Sequence, residues 1–185
     1  EIECENRSSI VTILALHGGG IEPATTELAY TIAHCGDYNY FSFKGMRSKG
    51  NNELHVTSTH YDDQIALNLV RGSQRTVAIH GCEGNESVAY IGGSDDRLIE
   101  LITESLEDIG ISVREAPHHI SGTQENNIVN MTQTQGGVQL ELTAQLRKEL
   151  FKNRKSSRKN RENKDNWDDL MYDFADAMKK AIERA

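Results

Sequence analysis

"LALHGGGIEPATTELA", Leu14 to Ala29, carries an apolar run into a histidine, then three glycines, then Ile21, Glu22 and Pro23. The run begins upstream, so Ser9 to His17 ("SIVTILALH") reads as a buried, β-branched strand. Pro23 suits the first position of a helix over Pro23–His34, with Leu28, Ala29, Ile32 and Ala33 on one face. A strand, a glycine turn and a helix make the opening unit of an α/β domain. The turn also sets the functional question. A histidine, a stretch of bare backbone and a carboxylate can together hold a phosphate, an oxyanion or a metal ion.

The same alternation continues downstream. Tyr38–Phe43 ("YNYFSF"), Leu54–Thr59 ("LHVTST"), Arg75–His80 ("RTVAIH"), Ser87–Gly93, Ile111–Glu115 and Gly137–Leu142 ("GVQLEL") read as further strands. Helices are expected over Asp62–Arg71, Ser94–Gly110 and Thr143–Phe151, with Ser94 as the cap of the second. A last helix carries the stripe Trp167, Leu170, Met171, Phe174, Ala175, Met178 and Ile182. Its aromatics and methionines read as core. Between Ser121 and Gln135 the chain is rich in Gly, Asn, Thr and Gln and reads as loop. The expected fold is therefore a single α/β domain over residues 1–185, a mostly parallel mixed sheet flanked by helices.

Composition narrows the class. The chain has 185 residues, enough for one domain with a real core. Hydrophobic residues make up 37% and charged residues 26%, which is polar but not of disordered type. No apolar stretch approaches the roughly 20 residues of a membrane span, and the first residues carry no signal-like apolar region. Cys4, Cys35 and Cys82 show no CxxC spacing, which argues against a disulfide scaffold and a cysteine-ligated zinc site.

The net charge of −8 is uneven. Lys152–Lys164 ("KNRKSSRKNRENK") holds seven basic residues and one acid, so it carries +6 and the remainder −14. It reads either as a solvated surface segment before the C-terminal helix or as a docking strip for a polyanion. Nucleic acid is disfavoured, because no aromatics are interleaved with these cations.

His17, His60 and His80 each follow directly on an expected strand. In open α/β sheets ligands bind beyond the carboxyl ends of the strands, so parallel strands would bring all three to one rim. Across the glycine turn, Glu22 can fold back toward His17. His17, Glu22 and His80 then form a His₂Glu set, the ligand type of a catalytic zinc that keeps one position open. The other readings of the glycine run lack their partners. No G-x-S-x-G serine elbow and no GxxxxGK[ST] phosphate loop is present. Glu141 is an acid inside an apolar strand. It reads either as a salt-bridged acid at a sheet edge or as a general base beside the metal.

The blocks "HGGGIEPATTELA", "VTSTHYDD", "IHGCEG", "YIGGSD", "ENNIVN" and "GVQLELTAQLR" occur in this order between Leu14 and Arg147. Together they resemble the phage poly-γ-glutamate hydrolases, a zinc-dependent family with a carboxypeptidase-like α/β fold. The resemblance implies His17, Glu22 and His80 as Zn²⁺ ligands and Glu141 as catalytic acid/base. It implies His60, Asn127 and Asn130 near the substrate. Met131 departs from the family, which often has a basic residue there. The implied substrate is a polymer of carboxylates from bacterial capsules, and Arg147 is the cation best placed in sequence to meet it. The expected enzyme is a soluble monomer that acts outside the cell on capsule, with no nucleic-acid or membrane partner. Two alternatives stay open. One is a zinc carboxypeptidase or amidase acting on cell-wall peptides. The other is a non-enzymatic, metal-stabilised phage accessory protein.

Overall fold

All nine residues of strand β2 (Val11–Gly19) are buried, which requires neighbours on both edges and cover on both faces. The computed structural model, which describes residues 1–185, supplies both. The sheet has seven strands in the order β1-β3-β2-β4-β7-β5-β6. Their ranges are β1 Ile2–Glu5, β3 Asn39–Gly45, β4 Arg75–Cys82, β5 Val88–Gly93, β6 Ser112–Glu115 and β7 Val138–Thr143. The central β3, β2, β4 and β7 are mutually parallel. Strand β1 joins antiparallel at one edge. At the other, β5 reverses against β7 and β6 pairs parallel with β5. The mostly parallel mixed sheet is as expected; β1 is an addition, too short to signal itself.

Alternation along the strands builds two cores of unequal size. Val11, Ile13, Val77, Ile79, Val138 and Leu140 point into a cluster of 33 buried residues, beneath α1 (Thr25–Gly36), α3 (Asp96–Asp108) and α6 (Asp169–Arg184). Leu14, Leu16, Phe41 and Ala78 point the other way, into 11 buried residues with α2 (Gln64–Gly72) and the turn Ile128–Asn130. The three-helix side therefore carries most of the hydrophobic burial. The α6 stripe packs into it, with Met171, Phe174 and Met178 fully buried.

Helix starts follow from side-chain caps, each typically worth about 1 kcal/mol. Asp63 caps α2 and Asp168 caps α6. Thr143 caps α4 (Ala144–Glu149). Asp95, not Ser94, caps α3 by accepting from the Leu98 N–H at 3.0 Å. Helix α1 starts at Thr25, two residues after Pro23, because Ala24 adopts a left-handed conformation with φ of 84°.

Two sequence expectations are corrected. Leu54–Thr59 is not a strand. Asn51–Leu54 forms a short 3₁₀ turn and the following residues run irregularly across the rim. The edges of β2, β3 and β4 are all taken by other strands, so its β-branched residues find no strand to pair with. The basic segment is neither wholly solvated nor a simple strip. It contains the short helix α5 (Arg158–Arg161). Arg161 turns inward, donating to Glu27 Oε1 at 3.2 Å, Ser156 O at 2.7 Å and Gly19 O at 3.1 Å. A bridge between Phe151 and Trp167 closes the segment at its base. No helix is long and apolar enough to cross a membrane.

Candidate active site

His80 and Glu141 are register partners on adjacent parallel strands, β4 and β7. Both lie on the face opposite the larger core, because their neighbours Ile79 and Leu140 fill that core. Strict alternation would aim His17 the wrong way, since Ala15 also faces the larger core. An extra residue in β2 between Ala15 and Gly18 resets the alternation. His17 thereby turns toward His80, and their Nδ1 atoms lie 3.1 Å apart.

The glycine turn then returns Glu22 to the same point. The Glu22 N–H donates to His17 O at 2.8 Å, closing the loop. The Gly81 N–H donates to Glu22 Oε2 at 2.8 Å, anchoring the carboxylate to β4. Gly18 must be bare. A Cβ there would stand 2.1 Å from Thr26 Oγ1 and 2.5 Å from Ser42 Oγ.

Three imidazoles surround this carboxylate. His17 Nδ1 lies 3.0 Å from Glu22 Oε1, His80 Nδ1 3.6 Å from Oε2 and His55 Nε2 3.3 Å from Oε1. His17 Nε2 is 2.7 Å from Val56 O. A carbonyl only accepts, so Nε2 carries the proton and Nδ1 of the neutral ring presents its lone pair inward. Two donor sets share His17 and Glu22. Ligand atoms of His17, Glu22 and His55 all lie within 4.8 Å of one another, while His80 approaches through Nδ1. His80 is buried on a strand; His55 is 43% exposed on the rim segment. The His55 ring stacks on His17 at 3.7 Å. His55 lies within the strand-like stretch 54–59 and so lacks the strand-end position that marks His60 in the sequence.

The electrostatics follow from this crowding. Burial pushes the Glu22 carboxyl up, but the imidazoles of His17, His55 and His80 gathered around it outweigh this and hold it well below the usual carboxylate range. Burial lowers His17. His80 is raised because Glu22 and Glu141 together overcome its burial. The Glu22 hydrogen bond raises His55. Glu141 is 7% exposed, and burial raises its carboxyl. Its Oε1 accepts from Gln139 Nε2 at 3.0 Å, and Gln139 Oε1 accepts from Asn127 Nδ2 at 3.1 Å. The nearby Cys82 thiol is pushed up to about 11 by burial and the Glu141 charge. It is a neutral thiol at pH 7, not a nucleophile.

These groups open into a cleft of about 420 Å³, walled by Thr57–Thr59, His119, Gln124 and Asn127. Of the residues expected in the site, His17, Glu22, His80, Glu141 and Asn127 line it; His60, Asn130 and Arg147 do not. His60 is exposed on the rim segment beside Thr57. Asn130 is buried and donates to Gly122 O and Gln124 O, bracing the cleft wall from behind. Arg147 is buried and donates to Leu142 O, Pro23 O and Cys82 O at 2.9–3.1 Å. Its guanidinium ties α4 to β4, β7 and the approach to α1.

Comparison with known proteins places the chain among relatives. The family model for poly-gamma-glutamate hydrolase matches residues 1–177. The chain is 38% identical over 143 residues to the SPbeta prophage-derived protein YoqZ of Bacillus subtilis (strain 168), covering 76% of this chain and 52% of YoqZ. It is 34% identical over 145 residues to YndL of the same organism, covering 77% of this chain and 57% of YndL. The chain thus spans little more than half the length of these two curated relatives. A solved bacteriophage poly-gamma-glutamate hydrolase superposes with a TM-score of 0.94 at 32% identity, over 100% of this chain and 88% of that one. A zinc-free apo form of YndL superposes with a TM-score of 0.91 at 30% identity, over 99% and 89%. The fold is accordingly of the zinc-carboxypeptidase-like type that these two share.

Proposed function

The chain belongs to the poly-gamma-glutamate hydrolase family, and from that premise we propose that it is a zinc-dependent hydrolase cleaving the γ-glutamyl amide bonds of poly-γ-glutamate. The observation that carries the reading is the convergence of His17 Nδ1, His80 Nδ1 and the Glu22 carboxylate beside a second buried carboxylate, Glu141. Two ring nitrogens 3.1 Å apart against one carboxylate suit a cation better than they suit each other. The donor chemistry fits zinc, with two imidazoles and a carboxylate as ligands. That a relative, YndL, has a form described as zinc-free supports the same metal. Bound by His17, Glu22 and His80, zinc would polarise the scissile carbonyl and make a water a stronger nucleophile.

The remaining chemistry falls to the chain. Glu141 accepts the proton of the attacking water and returns it to the nitrogen that leaves as an amine. Its raised carboxyl suits both transfers better than an ordinary glutamate would. Gln139 holds one carboxylate oxygen of Glu141, leaving the other for the proton. Asn127 holds Gln139 in turn. His55 shares Glu22 with the ligand set and sits at the open side, where it can meet the polarised oxygen or a substrate carboxylate. His60, Asn130 and Arg147 support the site from outside the cleft.

A carboxypeptidase would need a cation in the cleft for the terminal carboxylate. No Lys or Arg lines it, so a terminal carboxylate could meet only imidazoles there, such as His55 or His119. The test is direct. Zinc-loaded protein should shorten high-molecular-weight poly-γ-glutamate and release amines, and a chelator should stop both. A polymer of unchanged length after incubation with zinc-loaded, folded protein contradicts the proposal.

A further inference from the structure

A second cavity, of about 410 Å³, borders the same glycine turn. Gly19, Gly20 and Pro23 line it, whereas His17 and Glu22 line the cleft. The rim segment also divides the two, with Asn51 on the cavity and His55 on the cleft. The cavity wall carries Lys44, Arg47, Arg158 and Arg161 against the acids Glu27 and Glu162. The cleft carries Glu22 and Glu141 and no Lys or Arg.

This asymmetry matters for a polyanion. Each repeat of poly-γ-glutamate has one free α-carboxylate beside its amide. A divalent cation in the cleft is already matched by the Glu22 and Glu141 carboxylates. The carboxylates that flank the scissile bond therefore need counter-charge elsewhere along the bound chain. The densest set next to the cleft is the cavity.

Its cations differ in availability. Arg161 is committed, because its guanidinium is buried on Glu27, Ser156 O and Gly19 O and forms the cavity floor. Lys44 pairs with Glu1 and Glu3, Arg47 with Glu53 and Arg158 with Glu162. The Arg47 and Arg158 pairs are at least half-exposed on both sides, and pairs of that kind are weak enough to yield to a denser anion. We propose that this cavity is an exosite for the polymer, in which Arg47 and Arg158, backed by Lys44, bind α-carboxylates of the chain as it runs out of the cleft past the glycine turn. The inference rests on the substrate reading above. It narrows the basic segment to one functional residue, Arg158. Lys155 and Lys159 do not line the cavity.

The experiment is equilibrium binding of fluorescently labelled long poly-γ-glutamate at low salt. It uses the zinc-loaded full chain carrying Glu141→Gln to suppress turnover. Arg47→Gln/Arg158→Gln in that chain should weaken binding on the order of tenfold and flatten its salt dependence. Lys155→Gln/Lys159→Gln removes the same charge and should leave affinity within about twofold of the parent. Thermal melts confirm that both double variants are folded. Unchanged affinity in the cavity variant, or equal weakening in both, overturns the exosite. Failure of the substrate reading looks different. Polymer that is bound through the cavity but never cut by the parent chain removes the reaction and keeps the exosite. Polymer neither bound nor cut removes both.

Discussion

The Nδ1 atoms of His17 and His80 face each other at 3.1 Å, with the Glu22 carboxylate against both. The outer nitrogen of His17 is fixed on Val56 O, so its inner lone pair has nowhere to turn. Either His80 donates a proton to it or a cation draws both rings in. His55 reaches the same carboxylate from an exposed position. His80→Ala is therefore expected to lose zinc, falling from about one per chain to near zero by elemental analysis. His55→Ala should keep it. Zinc retained in His80→Ala and lost in His55→Ala would exchange their roles.

In the proposed mechanism Glu141 must be ionised before it can take the proton. In the zinc-free chain burial raises its carboxyl above the ordinary value of 4.5. The stability sign is opposite to that of a salt-bridged acid. A raised folded-state value means that the fold keeps the proton longer than the unfolded chain does. Stability is then lost as pH rises from the unfolded value through the folded one. In zinc-free protein, Glu141→Gln should remove that loss and raise Tm at neutral pH, as measured by melts across pH.

Arg147 gives a contrast between structure and binding. Its donors are occupied by three backbone carbonyls. Arg147→Met should leave these unpaired and cost about 3 kcal/mol, a Tm fall of roughly 6–12 °C. A substrate-binding role alone would instead raise KM at unchanged Tm.

Gly18 is where the turn meets α1. Gly18→Ala drives a methyl into Thr26 Oγ1 and Ser42 Oγ, both of which are buried. The backbone beside His17 must then shift. Weaker zinc binding and a lower Tm are expected together, by titration and by melts.

The parts legible in the sequence are those set by short-range pattern. Apolar runs gave the central strands, and acids and glycine framed α3 near its observed ends. His17 and His80 do lie near the carboxyl ends of parallel strands, as the sequence suggests, although each strand runs two residues past its histidine. The rest depends on partners distant in sequence. The bulge that turns His17 lies in the register between β2 and β3. Leu54–Thr59 has strand-like residues, but β2, β3 and β4 beside it have no free edge to offer. His55 comes to Glu22 only because that segment crosses the rim. Arg147 and Arg161 are basic in sequence, yet each is drawn inward by carbonyls from other elements. Nothing local marks them as different from the exposed cations beside them.

In the proposed zinc-assisted cleavage, Glu141 moves the proton. Glu141→Gln keeps the side-chain shape and the partner Gln139 but cannot accept a proton. Base catalysis of this kind is worth about 10² to 10⁴ in rate, so kcat on poly-γ-glutamate should fall by at least 10²-fold while KM changes much less. Zinc content should stay at the parent level, and Tm at or above it. The decisive measurement is kcat, zinc content and Tm on one preparation of Glu141→Gln. A folded, zinc-loaded variant with near-parental kcat would contradict the account.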